Sequence, residues 1–383
     1  MKKCFYALTA ALLALTSCSS QEEPVMGAED GEVTTVTLSL ALPSQPQSRV
    51  TVDTEYGKAQ AIDQVEYAVY DIDGNLVYSS DSEDSEMQAK VDTDDYGHYT
   101  LEVTLLTHHT YTVYCWASAK GAPYKFNIPE NMNTGVTVSV DYSEGIPANN
   151  EKCDAFFGKR TFSVLETQND DKDYMITLYR PFAQVNILCS DKELAKEIYK
   201  SKGKDGKEIG ISSIEVAIVN GKGAGAYSNL NFDTYIASEI AENVVYKAQF
   251  EKGWKSLVHA GSADVAEYHY LATCYLMTGV SVDTSEAKYA LGGYGTQQET
   301  TDLKITITYD NGEKTIVTRE NVPVRRSWRT NIYGDILTSQ ANINYRINYG
   351  WGPNINNGTI EVTDEGGSNE KPGTEGENEI ELS

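Results

Sequence analysis

Positive charge is scarce in this sequence: 31 Lys and Arg stand against 56 Asp and Glu over 383 residues, a formal net charge of −25. Nucleic-acid backbones and anionic membrane surfaces are repelled by such a chain, which makes both poor partners. Long apolar runs are missing too. The clearest, Phe5 to Leu15, is too short to span a bilayer as a permanent helix. Six cysteines form no C-x-x-C pair and have no histidine at finger spacing, so no zinc finger is indicated. His98, His108, His109, His259 and His269 lack zinc spacing, and the adjacent pair His108-His109 points to opposite sides of an extended chain. There is no Gly-x-Ser-x-Gly elbow, no Gly-rich phosphate loop and no βαβ alternation. Carboxylates are plentiful, yet no pair is singled out as a glycosidase dyad. The acidic stretches Asp92–Gly97 and Asn169–Asp173 lack the calcium-loop pattern and read as solvated turns. No catalytic residue, metal ligand or cofactor is therefore assigned, and the reading is of a non-enzyme.

What is present begins at the first residues. Lys2-Lys3, the apolar run to Leu15 and the tetrapeptide Leu15-Thr16-Ser17-Cys18 follow one another in the order of an export signal. The tetrapeptide resembles a lipobox, which implies cleavage before Cys18 and acylation of that cysteine. Residues 1–17 are then a lipoprotein signal peptide and 18–32 a tether rich in Ser, Gln and Glu, the composition of a disordered spacer. The acidic start Ser19-Ser20-Gln21-Glu22-Glu23 resembles the signal that passes Bacteroidetes lipoproteins to the outer face of the outer membrane. The expected location is a lipid-anchored one at the cell surface, with outer-membrane lipid as a partner through Cys18. Cys4 leaves with the signal. Cys115, Cys153, Cys189 and Cys274 remain, and an extracytoplasmic site permits disulfides whose pairing the sequence leaves open.

Beyond the tether the chain alternates with a period of two. Val36, Leu38, Leu40 and Leu42 are separated by Thr37, Ser39 and Ala41, and the same pattern recurs over Val65–Val69 and Leu101–Leu105, as in half-buried antiparallel strands. Turns containing Gly74 and Gly312 join apolar runs into hairpins over 70–78 and 307–316. Further strands are expected at Met175–Leu178, Ala183–Leu188, Ile214–Val219, Tyr268–Leu276, Leu303–Tyr309, Thr315–Arg319, Thr330–Leu337 and Ile343–Tyr349. One short helix is expected from Ser190 to Lys200, where Ser190 and Glu193 have capping-box spacing. The fold class is thus mainly β: two tandem antiparallel β-sandwich domains, transthyretin-like or fimbrillin-like, over 33–154 and 155–350. Residues 351–383 form a terminal strand and acidic tail.

Five segments in order resemble the fimbrillin-type proteins of Bacteroidetes, the subunits and accessory proteins of pili built from surface lipoproteins. They are Val36–Leu42 with Pro46-Gln47-Ser48-Arg49-Val50, Tyr67-Ala68-Val69-Tyr70-Asp71, Ala155-Phe156-Phe157-Gly158, Arg180-Pro181-Phe182-Ala183-Gln184-Val185-Asn186, and Trp328-Arg329-Thr330-Asn331-Ile332-Tyr333-Gly334. The resemblance implies a structural or adhesive component of a surface fimbria whose partners are other fimbrial subunits and a host or bacterial surface glycan or protein. It also implies cleavage between Arg49 and Val50 by a trypsin-like protease, removal of a plug strand carrying Val36, Leu38, Leu40 and Leu42, and entry of a neighbour's strand in its place. The donor strand in such proteins is C-terminal; here Ile343, Tyr345, Ile347 and Tyr349 offer an apolar face, although the same segment also reads as the last strand of its own domain. The alternative function is a monomeric surface glycan-binding lipoprotein with Trp116, Trp254, Trp328 or Trp351 as sugar platforms.

Overall fold

A computed structural model describes residues 32–41, 62–80, 90–91, 98–165, 174–190, 210–223, 225–250, 268–279, 299–324, 326, 329–334, 336–337, 343–348 and 359–362. In chain order the first strands are β1 (Val33–Ala41), β2 (Gln64–Asp71), β3 (Leu76–Ser79), β4 (Lys90–Val91), β5 (His98–Leu106) and β6 (Thr110–Ser118). Next come β7 (Tyr124–Asn127), β8 (Thr137–Val140), β9 (Ile146–Pro147), β10 (Phe156–Ser163), β11 (Met175–Thr177) and β12 (Phe182–Ser190). These are followed by β13 (Ile211–Gly223), β14 (Tyr227–Asn231), β15 (Ala237–Ile240), β16 (Val245–Gln249) and β17 (Tyr268–Met277). The last are β18 (Glu299–Tyr309), β19 (Lys314–Val324), β20 (Arg329–Gly334), β21 (Ile343–Asn348) and β22 (Thr359–Val362). The protein is mainly β, as its alternating sequence requires. Ser190, expected to cap a helix, is the last residue of β12; the rest of that expected helix, to Lys200, and the acidic turns at 92–97 and 169–173 fall outside the described residues.

Among the described residues, five sheets form the scaffold. Sheets β11-β1-β5-β4 and β10-β6-β2-β3 enclose a first core containing Leu38, Leu101, Val69, Val113 and Phe156. Sheets β17-β12-β20-β21-β22 and β19-β18-β13-β16-β9 enclose much of a second core, around Val185, Ile187, Val216, Ile305 and Ile332. A fifth sheet, β15-β14-β8-β7, adds Phe126, Val138, Leu230 and Phe232 to that second core. Both hairpins are present: β2 pairs antiparallel with β3 and β18 with β19. At their turns Gly74 has φ 81 and Gly312 φ 83, left-handed values that glycine adopts without a Cβ penalty.

Strands β2 and β6 depart from the half-buried pattern. Val69, Val113 and Cys115 point into the first core, while Ala68, Tyr70, Tyr114 and Trp116 belong to the second. The sheet they form is therefore covered on both faces, and the run Val113–Ala117 is buried without interruption. Phe232 binds this layer to the fifth sheet: its ring centroid lies 5.5 Å from Phe157, 6.0 Å from Tyr114 and 6.4 Å from Trp116, all near edge-to-face. Tyr114 also donates to Asp233 Oδ1 at 2.7 Å, and Lys159 pairs with the same oxygen at 2.7 Å. Strands β10 and β11 lie on the C-terminal side of the 154/155 division, yet they hydrogen-bond into the sheets of the first sandwich: β10 pairs with β6, and β11 runs parallel to β1. Gly158 lets these two sheets close on each other; a Cβ there would meet Leu178 Cδ2 at 2.7 Å and the Thr177 carbonyl at 2.9 Å.

Candidate functional site

β1 is the element on which any strand-replacement function turns. Its sequence Val-Thr-Thr-Val-Thr-Leu-Ser-Leu-Ala alternates, and the fold uses that alternation: Val36, Leu38 and Leu40 are at most 1% exposed, while Thr35 is exposed and Thr37 and Ser39 are half-buried. Along one flank it pairs antiparallel with β5 over nine residues, from Val33 opposite Leu106 to Ala41 opposite His98. Along the other it runs parallel to β11 only from Ser39 to Ala41, and the Ser39 N–H donates to the Tyr174 carbonyl at 3.2 Å. Leu38 faces Leu101 across the ladder, and both are fully buried.

Magnitudes decide whether such a strand can simply leave. Fully burying a Val or Leu side chain contributes about 1.5–3 kcal/mol, so three of them contribute roughly 5–9 kcal/mol. A whole domain is stable by only about 5–15 kcal/mol. Losing β1 without replacement would therefore remove most of the first sandwich's stability and expose the β5 ladder as a raw edge.

The other sequence-derived site residues distribute as follows. Residues 42–61 link β1 to the segment leading into β2; Leu42, Arg49 and Val50 lie there, outside the described residues, as do Cys18 and Tyr349. Ile343, Tyr345 and Ile347 lie on β21, opposite Gly334, Ile332 and Thr330 of β20, and β22 pairs with the other side of β21. Trp116 is fully buried between Tyr124, Phe182 and Phe232, so it presents no face to a sugar. Trp254, Trp328 and Trp351 lie outside the described residues. Cys115, Cys153, Cys189 and Cys274 are all buried. Burial pushes the Cys115, Cys153 and Cys274 thiols well up, Cys153 to about 12, so these three are unreactive as packed.

Sequence reasoning did not find the polar network where the sandwiches meet. Asp154 accepts three hydrogen bonds from Arg180 in fork geometry, Nε to Oδ1 at 2.8 Å and to Oδ2 at 3.2 Å, and Nη2 to Oδ2 at 2.9 Å, with both side chains buried. The Arg180 guanidinium lies 4.5 Å from the Phe156 ring centroid. Burial pushes the Asp154 carboxyl above its ordinary value, opposed by the charges of Arg180 and Arg329 and by the Ala155 N–H. Arg329 Nε donates to Gln184 Oε1 at 2.6 Å, Asn186 donates to Asn331 at 2.8 Å, and Thr273 donates to Asn186 at 2.9 Å. Asn149 ties the same row to the incoming chain, donating its N–H to the Thr273 carbonyl at 2.9 Å. Three of the family-like segments, 155–158, 180–186 and 328–334, thus converge on one junction.

A second polar group, half-buried, sits at the start of β18. Glu299 accepts from Tyr227 Oη at 3.3 Å and from the Gly279 N–H, and Arg326 lies nearby with its guanidinium donating to the Thr278 and Tyr235 carbonyls, each at 3.0 Å. Burial outweighs these partners and pushes the Glu299 carboxyl up to about 7 from 4.5. Because the folded state holds this proton more tightly than the unfolded chain, its contribution is fully present below pH 4.5 and is lost as pH rises through 7. Glu299→Gln removes the titration and keeps the acceptor for Tyr227. Its unfolding midpoint is expected to rise relative to the parent protein between pH 5 and pH 8; equal differences at the two pH values would refute the assignment.

The fold has likenesses among solved structures. One is a candidate polysaccharide-binding protein of Bacteroides thetaiotaomicron, 13% identical, matched over 80% of this chain and 94% of that one with a TM-score of 0.40. Another is a fimbrial assembly protein of Parabacteroides distasonis, 13% identical over 87% of this chain and 100% of that one, TM-score 0.38. A third is the fimbrial anchor protein Mfa2 of Porphyromonas gingivalis, 10% identical over 78% of this chain and 90% of that one, TM-score 0.35. No curated protein matches the sequence. The profile of a family of unknown function, DUF6562, matches residues 28–365, and this chain belongs to that family.

Proposed function

We propose that this protein is a fimbrial or adhesin-type structural component of the bacterial surface, whose uncleaved form is held to outer-membrane lipid through acylated Cys18. Cleavage after Arg49 frees β1, and a strand supplied by another subunit takes its place. The observation that carries this reading is the position of β1: a strand inside its sheet, contributing Val36, Leu38 and Leu40 to the first core, and joined to the rest of the chain through the segment that contains Arg49. A single cut in residues 42–61 separates β1 covalently from everything that packs on it. Main-chain pairing with β5 then holds an incoming strand, and its alternate side chains fill the vacated positions. The four fimbrillin-like segments beyond β1, in their order along the chain, support a fimbrial role independently of β1.

Intact-mass and N-terminal analysis of the protein taken from its native cell surface, before and after treatment with a trypsin-like protease, tests this. A mature start at Val50, with higher oligomers appearing on cleavage, is the expected result. A start at acylated Cys18 that gives no oligomers after cleavage rules out assembly by strand replacement.

A further inference from the structure

The positions filled by β1 restrict what can replace it, and the chain's own C-terminal strands do not meet the restriction. Val36, Leu38 and Leu40 occupy three consecutive inward positions, each at most 1% exposed, against Leu101, Val103, Val69, Val113 and Phe156, all at most 1% exposed. A core packed to this degree accepts aliphatic side chains of the same size and resists larger ones. It also penalises a hydroxyl that finds no partner. An occupant must therefore present three aliphatic residues at alternate positions.

In the sequence around β21 the apolar phase reads Ala341, Ile343, Tyr345, Ile347, Tyr349, Trp351, so every window of three contains Tyr345, Tyr349 or Trp351. The opposite phase reads Asn342, Asn344, Arg346, Asn348 and is polar throughout. Around β22 the phase Gly358, Ile360, Val362, Asp364 either leaves one position empty at the glycine or buries an aspartate. No shift of two residues, and no reversal of direction, removes these conflicts, because they are set by composition. β21 is moreover hydrogen-bonded on both sides within its own sheet.

We infer that the channel vacated by β1 rejects this chain's own C-terminal strands and selects an extended segment, antiparallel to β5, with aliphatic residues at three alternate positions and small polar residues between them. This rests on the proposed loss of β1 and adds the identity class of what replaces it. The specificity lies in the fully buried Leu38 position, where an aromatic side chain from β21 would have to enter in its central register.

The test uses the full chain with a site-specific protease sequence in place of residues 44–49. After cutting, the protein is offered three fluorescent peptides: residues 33–41, residues 341–349, and residues 341–349 carrying Tyr345→Leu. The first and third are expected to bind and to displace the cut β1, and the second to bind roughly tenfold to a hundredfold more weakly than the third. Equal binding of the second and third peptides overturns the selectivity while leaving strand replacement intact. Retention of β1 after cutting, with no peptide entering even when the cut protein is refolded in its presence, overturns strand replacement and the selectivity with it.

Discussion

Replacing Asp154 with alanine is expected to destabilise the protein by about 3–5 kcal/mol, the range seen when one partner of a buried ion pair is removed. The reason is what remains. Arg180 is 5% exposed, stacked over the Phe156 ring, and its fork is aimed at the two Asp154 oxygens. Without the carboxylate a guanidinium is left in a site with little water, and arginine does not shed its proton to escape. Arg329 compounds the loss, because its charge also acts on Asp154. Chemical denaturation followed by the emission of Trp116, which lies in the adjoining core, would measure the effect. Asp154→Asn keeps the shape but turns an amide N–H toward the guanidinium, so it should fall between the parent and the alanine variant. The double substitution Asp154→Ala with Arg180→Met separates charge from packing: it removes both desolvated groups and places a flexible apolar chain over Phe156. It should recover most of the loss. A double variant as unstable as Asp154→Ala would mean that the junction depends on shape at residue 154 and not on charge compensation.

This junction also marks the limit of what the sequence makes legible. The strands that obey simple alternation could be read directly: β1, β5 and the β18–β19 hairpin follow from polar residues placed at every second position, because each lines one core and one polar surface. β2 was expected to be half-buried and is not, and β6 gave no alternating signal, since a sheet covered on both faces needs no polar alternation, and Ala68 and Tyr70 or Tyr114 and Trp116 look like noise in a period of two. The fifth sheet was missed altogether. Its strands β7, β8, β14 and β15 have only four or five residues each. In runs so short, a phase of two apolar residues is indistinguishable from a turn. Phe232, which joins that sheet to Trp116 and Phe157, is a single aromatic between Asn231 and Asp233 and carries no periodic signal. Asp154 and Arg180 are 26 residues apart and meet only because the chain from β10 through β11 returns to the junction. Ion pairs of that kind follow from topology, and a lone sequence does not state its topology. β1 was legible for the opposite reason: its burial pattern and its pairing are both local consequences of nine consecutive residues.

Truncating Leu38 to alanine should cost about 2–5 kcal/mol, the usual toll of a large-to-small change in a core that cannot collapse around the gap. Leu38 is fully exposed to that penalty because it is 0% accessible, its cross-strand neighbour Leu101 is equally buried, and the opposing sheet is itself pinned from behind by the second core. Thr35→Ala, on the exposed side of the same strand, should change stability by less than about 0.5 kcal/mol and serves as the control. Thermal or denaturant unfolding of the uncut chain reads both. The same residues then distinguish the plug from its channel. In a chain cut between β1 and β2, Leu38→Ala weakens only the strand that leaves, so β1 should dissociate faster while a peptide of residues 33–41 still enters with the parent affinity. Leu101→Ala, on β5, damages the wall that any occupant must use, so both the resident strand and the peptide should be held less tightly. If Leu38→Ala impaired peptide entry as much as Leu101→Ala does, β1 would be acting as a permanent wall of the sandwich, and the first core would have no channel for a neighbour's strand to fill.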